Sequence, residues 1–494
     1  MLSALLWLPL AVALIVVLLP RRFAGPVSAA GALGTLGLAV ALALDFDAAA
    51  PGLQHVVDES WIPELGVRYQ LGVDGISLFL VLMTAVLWAA SFAWSAFRVP
   101  DRPKNYFLML GIGEFATLGA FLAQDLLLFV LFFDLMLVPF FFLIGAYGTG
   151  NRVRATIKMM VYTLVGSLLM LVAAIATAVL ASNETGELSF AMADLRANLL
   201  PDGSQEWIFC FFAAAFLVKM PAFPLHGWMP DAYLAAPPAV LALLSGVLSK
   251  VAAYGFLRVV LPIFPEATIQ FQELILVIAT VSILYGSAMA FTQTNVRLIA
   301  GYSSIAQLGF ITLGVFSLSS DGANGAILQM VNHAVVVVPL FLIIVLLAER
   351  FGSEDLRQMG GGAMRAPVLA ALFLIVTLAT LAMPGSANFI GEFYILNGLF
   401  DAKIAFAVVA SAGIAMAAFY ALRLYQGAMH NPLPAGASSR ELSLRDALVL
   451  VPLVGVILAL AVTPGSVLTR GEASVQDKVG AVAEARDGFE VAKR

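Results

Sequence analysis

Apolar runs of about 20 residues, the length a helix needs to cross the hydrocarbon core of a bilayer, follow one another from residue 2 to residue 463 with little between them. Fourteen can be marked off, roughly 2–20, 27–45, 73–97, 105–123, 125–147, 155–181, 206–236, 238–260, 271–292, 298–317, 323–348, 366–400, 403–427 and 446–463. Backbone amides cannot stay unpaired in lipid, so such a chain must form helices or a closed barrel. Barrel strands are about 10 residues long and alternate in polarity, whereas these runs are longer and unbroken. With 61% hydrophobic and only 12% charged residues and a mean hydropathy of +0.97, the expected fold is an all-α polytopic membrane protein of about fourteen transmembrane helices.

The first run, residues 2–19, lacks a basic leader and a cleavage site and is expected to remain as the first span. The single cysteine, Cys210, lies in an apolar run, so neither a disulfide framework nor a cysteine-ligated iron–sulfur cluster can be built within the chain. No metal or redox cofactor is expected in it. The net charge of −5 is spread over loops of both signs, and nucleic acid is not an expected partner. Of the 26 Lys and Arg, 15 fall at odd-numbered connections, 4 at even ones (Arg68, Arg196, Arg258 and Lys403) and 5 after residue 469, leaving Lys219 and Lys250 for the interior. The positive-inside rule then puts the odd connections in the cytoplasm of a cell with this protein in its plasma (inner) membrane, and both termini on the outer, periplasmic side.

Two spans are long and interrupted. "FLVKMPAFPLHGWMPDAYLAAPP" carries prolines at 221, 224, 230, 237 and 238, and "LATLAMPGSANFIGEFYIL" has Pro384 and Gly385 ahead of Glu392. Each proline removes a donor and clashes with the turn before it, and paired broken helices in corresponding halves point to an inverted-repeat transporter. They are spans seven and twelve, five apart, which fits two inverted five-helix repeats over spans 4–8 and 9–13. The expected division is residues 1–104 for spans 1–3, 105–262 for the first repeat and proton-channel half, 263–427 for the second repeat, and 428–494 for the last span and an extramembrane tail.

An ionisable side chain inside the membrane is expensive and is a functional candidate by default. "DLLLFVLFFDLMLVPFFFLIG" puts Asp134 near the middle of span five. The interior also holds Glu114, Lys219, Lys250, His333 and Glu392, alternating in sign along the chain. An acid and a lysine each tend towards neutrality when buried and towards charge when paired, so making and breaking one pair can load or release a proton. A single pair, Asp134 with Lys219, is as readily a static packing element; the set of groups together with two broken helices favours transport. Asp125 reads as a helix cap. His226 either lines a cavity or sits at the interface, and Glu114, among glycines, is either a packing acid or part of the route.

Six stretches then carry a resemblance: "LGVDGISLFLVLMT", "DLLLFVLFFDLMLVPFFFLIG", "VKMPAFPLHGWMPDAY", "LSGVLSKVAAYGFLR", "YSSIAQLGF" and "MPGSANFIGEFYIL". In this order and on these spans they resemble the M-type (ND4-like) membrane subunits of proton-pumping NADH:quinone oxidoreductase, respiratory complex I, over nearly the whole chain. The resemblance implies a proton relay in which Asp134 modulates Lys219, Lys250 is the connecting lysine, His333 the polar residue joining the halves, and Glu392 the terminal acid, with Glu114 and His226 as further candidates. It also implies that NADH, FMN, iron–sulfur clusters and quinone belong to partner subunits, that ND2-like and ND5-like membrane-arm subunits and the lipid bilayer are the neighbours, and that quinone reduction drives the transfer. Asp134 stands where the family usually has glutamate, so its reach is one methylene shorter. The acid at 392 and the lack of a long amphipathic C-terminal helix set the chain apart from ND5-like subunits. A subunit of an Mrp-type Na+/H+ antiporter is the alternative, since that group shares the fold, and a purely structural membrane scaffold is the other rival.

Overall fold

The computed structural model describes residues 1–50, 52–438 and 440–492, with the side chains of 202, 481, 483, 484 and 486–492 outside the description. The protein is mostly helical, and each expected span falls on helix: α1 Leu2–Leu18, α2 Ala24–Asp45, α3 Gly75–Phe97, α4 Pro103–Leu122, α5 Leu126–Tyr147, α6 Arg152–Thr185, α7 Asp202–Lys219, α8 Pro238–Ile263, α9 Pro265–Thr292, α10 Val296–Phe316, α11 Ser320–Phe351, α12 Pro367–Thr380, α13 Ala387–Met429 and α14 Leu444–Val462. Eleven helices among the described residues are long and apolar enough to cross a membrane, and α1 and α12 are shorter apolar helices. Spans twelve and thirteen share α13, which is kinked at Lys403.

Polar side chains placed at the helix starts satisfy backbone donors that would otherwise face lipid or protein without a partner. Asp74 and Ser77 form a reciprocal capping box on α3, Asp125 caps α5 as expected, and Asn295 caps α10. The breaks are resolved by specific donors. After α7 ends at Lys219, the Ala222 amide donates to Leu217 O at 2.9 Å and the Trp228 indole donates to Val218 O at 2.9 Å. The chain re-enters helix at Met229–Ala235. Between α12 and α13, Gly385 takes a φ of +91°, a conformation that favours glycine, and the Ser386 amide closes the turn on Met383 O.

α8 and α11 sit at the centre, and the apolar stretch of each is wholly enclosed by protein. α11 packs against α3, α8, α10, α12, α13 and α14, and α7 packs between α6 and α8. α9 and α10 lie close because both carry glycine at the contact: a Cβ on Gly309 would come within 2.7 Å of Ala279 O. α2, α6 and α13 turn large apolar side chains such as Leu33, Val161 and Val408 outwards, as a lipid-facing surface requires.

Two expectations need correction, and one connection carries structure that sequence reading did not describe. The connection at 45–72 holds a two-stranded antiparallel hairpin, β1 Gln54–Ile62 and β2 Val67–Val73, which turns at Gly66 and rests on α1 through the Trp7 indole and the Tyr69 hydroxyl at 3.0 Å. The segment read as a tail forms a helix, α15 Gly465–Ala492, whose buried Val467, Val475, Val479 and Val482 lie along one side. The contrast with ND5-like subunits based on a missing C-terminal helix therefore falls. Arg258, counted with the loop cations, is buried in the last turns of α8.

Candidate functional site

Of the seven candidate side chains six are buried, and Asp134 is half-buried. The polar groups form three stations. At the first, Pro139 cannot donate to the carbonyl of Leu135, and α5 is interrupted at Met136, two residues after Asp134. Lys219 is the last residue of α7, where the helix dipole favours a cation. Its Nζ donates to the Phe133 carbonyl at 2.5 Å and stands 3.7 Å from the centre of the Phe133 ring. The lysine thus reaches α5 but stops one residue short of the acid, and the expected Asp134–Lys219 pair is open. The Asp134 carboxyl turns instead to the Ser167 hydroxyl on α6.

The second station lies where α8 meets α11. The backbone of α8 widens into a π-turn at Leu244–Leu248, an irregularity often found at functional sites. Lys250 Nζ donates to Ser245 O at 2.7 Å and to the Ser249 hydroxyl at 3.3 Å, and lies 2.8 Å from His333 Nδ1. Three acceptors match the three donors of an ammonium. A neutral amine fits the same place if its lone pair accepts a hydrogen bond from Nδ1–H, so a proton can stand on either partner without either moving.

At the third station, near the start of α13, Glu392 Oε1 accepts from Gln307 Nε2 of α10 at 2.8 Å, and Gln307 Oε1 accepts from Gln329 Nε2 of α11 at 2.6 Å. Asn332 donates to Ala387 O at 2.7 Å. Glu392 Oε2, Gln329 Oε1, Asn332 Oδ1, both amide atoms of Asn388 and the Tyr420 hydroxyl are buried without a protein partner. Buried polar groups are seldom left unpaired, and ordered water is the usual partner where protein supplies none.

The other two candidates lie apart. Glu114 on α4 makes no hydrogen bond or ion pair with the other six, and its Oε1 is buried without a partner. His226, in the turn after α7, has Nε2 3.3 Å from the Tyr285 hydroxyl of α9 and packs on Phe223. Sequence reading missed Gln307, Gln329, Asn332, Asn388 and Tyr420. One signal was present: Gln329, Asn332 and His333 follow at the three- and four-residue spacing of one helix face, inside an otherwise apolar run. Among the described residues no three His, Cys, Asp or Glu side chains converge as a metal site.

Residues 123–417 match the family model described as NADH:quinone oxidoreductase/Mrp antiporter, TM. The chain is 35% identical to NADH-quinone oxidoreductase subunit M of Rhodobacter capsulatus over 483 residues, covering 94% of each. It is 34% identical to subunit M of Escherichia coli (strain K12), covering 90% of this chain and 91% of the relative. It superposes on a chain of respiratory complex I from Thermus thermophilus with a TM-score of 0.89 at 31% identity, covering 98% of this chain and all of that one. A chain of the Mrp complex from Dietzia shares the fold, with a TM-score of 0.84 at 22% identity over 97% of this chain and 99% of that one.

Proposed function

The chain belongs to the NADH:quinone oxidoreductase/Mrp antiporter transmembrane family, and from that premise we propose that it is the M-type, proton-translocating subunit of the membrane arm of NADH:quinone oxidoreductase. The observation that carries the reading is the 2.8 Å contact between Lys250 and His333. It falls where α8 and α11, both wholly enclosed by protein, meet. The helix that carries Lys219, α7, packs against α8, and Gln329, one turn before His333 on α11, donates to the Gln307 that holds Glu392.

In this reading a proton enters at Lys219, whose hold on it Asp134 modulates. It passes to Lys250, crosses to His333 on α11, and reaches Glu392 through the amide-lined space, which water fills. Glu114 and His226 are accessory groups. The open Asp134–Lys219 pair is one of two states, and closing and reopening it is the step that quinone chemistry in a partner subunit drives. The chain carries no redox centre of its own: NADH, FMN, the iron–sulfur clusters and quinone sit in partner subunits. ND2-like and ND5-like subunits flank it in the cell membrane, with both termini on the outer side. Residues 105–262 and 263–427 are the two inverted halves.

The test is NADH-driven acidification of inverted membrane vesicles in sodium-free buffer, wild type against Lys219→Met, with assembly of the complex checked. Acidification should fall in the assembled variant. Unchanged acidification would reject the relay, and NADH-independent exchange that requires sodium would assign the chain to an antiporter instead.

A further inference from the structure

α8 carries a second polar cluster that the proton route does not use. Arg258 is buried; its Nη2 donates to Asp74 Oδ1 at 2.6 Å and its Nε donates to the Tyr254 hydroxyl at 2.8 Å. That hydroxyl donates in turn to Phe121 O at 3.0 Å. Asp74 is fixed as the cap of α3, where it also accepts from the Ile76 and Ser77 amides. Lys250, Tyr254 and Arg258 follow at four-residue spacing and so stand on one face of α8, with Arg258 inside a second π-turn at Phe256–Val260.

On the far side of the pair a cleft of about 630 Å³ runs under α15, lined among others by Gln124, Arg196, Asp477 and Lys478. Asp477 in this cleft is half-exposed. On the near side the Tyr254 ring is packed by Phe121 and Phe129, with centroids 5.2 and 6.4 Å away. The ion pair therefore stands between a polar cleft at one end of α8 and the enclosed lysine at its middle. Stability alone does not account for it, because a buried ion pair roughly cancels its own desolvation.

We propose that the Arg258–Asp74 pair, braced by Tyr254, is a seal that keeps protons on Lys250 from leaving along α8 into the cleft, and so sets the direction of transfer towards His333. A guanidinium stays protonated at any physiological pH, so it cannot relay a proton. Its fixed charge in a poorly screened site repels one that approaches. Asp74 holds that charge in place, and its bond to arginine keeps the carboxylate from serving as the next acceptor. Arg258 and Asp74 are positioning residues here; they carry nothing themselves.

The proposal rests on the relay reading, but its readout is separate: decay of an imposed pH gradient across vesicles holding the assembled complex, without NADH. Removing both charges together, as Asp74→Asn with Arg258→Met, leaves no unpaired buried charge and keeps an N-cap on α3. That double variant should lose the gradient several-fold faster than wild type, Arg258→Lys should hold it, and adding Lys219→Met to the double variant should slow the leak again. Wild-type decay in the assembled double variant would overturn the seal, as would a leak that Lys219→Met leaves untouched. If the double variant does not assemble, Tyr254→Phe removes only the brace and should leak measurably; no leak would reject the proposal. A failed relay would appear instead as unchanged NADH-driven acidification in Lys219→Met alone.

Discussion

Lys219 donates to a carbonyl, not to the acid beside it. Its Nζ is held by Phe133 O and by the face of the Phe133 ring, and Asp134, with a side chain shorter than glutamate, turns to the Ser167 hydroxyl. A carboxylate at that distance acts on the lysine through the field and not through contact, and in a poorly screened interior that still matters. Asp134→Asn is expected to weaken NADH-driven pumping in assembled complex, while Asp134→Glu, with the longer reach, retains it. An Asn variant with wild-type proton stoichiometry would remove Asp134 from the route. At this scale the charged residues were legible because a charge in an apolar run is conspicuous. The amides were not: Gln307, Gln329, Asn332 and Asn388 carry no charge, amides also serve ordinary helix contacts, and only the fold gathers them around Glu392.

The broken helix illustrates what a run of prolines can and cannot foretell. Pro221 and Pro224 announce the end of α7, but they do not say which groups take over the freed carbonyls. The Trp228 indole does so for Val218 O. Trp228→Phe keeps the ring bulk and strands that carbonyl, which should cost about 1–3 kcal/mol. A lower thermal unfolding temperature of the purified complex checks it, and an unchanged one would mean that another donor takes the place. The elements that escaped sequence reading did so for physical reasons. The hairpin is short and its alternation, as in Val67, Tyr69 and Leu71 against Arg68 and Gln70, covers few residues. α15 has the composition of a soluble helix, and its valine stripe emerges only once a helical register is assumed.

Across the whole molecule, two enclosed helices, α8 and α11, meet at the centre and α15 packs over the end of α8. Beside its buried valines, α15 is tied down at Asp477, to which Arg196 donates at 2.7 Å. Burial pushes the Asp477 carboxyl up, but hydrogen bonds from Arg196 and Lys478 outweigh it and hold it at about 2, below the ordinary 3.8. A carboxyl lowered on folding stabilises the docked helix above its ordinary value and loses that contribution as the pH falls from 3.8 towards about 2. Half of the side chain is in water, so the effect is small. Hydrogen exchange in α15 should therefore be faster in Asp477→Asn than in wild type at neutral pH, and the difference should vanish in strong acid; a difference that persists there would contradict the assignment. The proposed relay turns on the contact between Lys250 and His333, through which a proton in that reading steps from α8 to α11. The measurement that tests it most directly is the number of protons moved per NADH oxidised in vesicles holding assembled Lys250→Met complex. The account predicts a lower number than in wild type while NADH oxidation continues, and a wild-type number in that variant would contradict it.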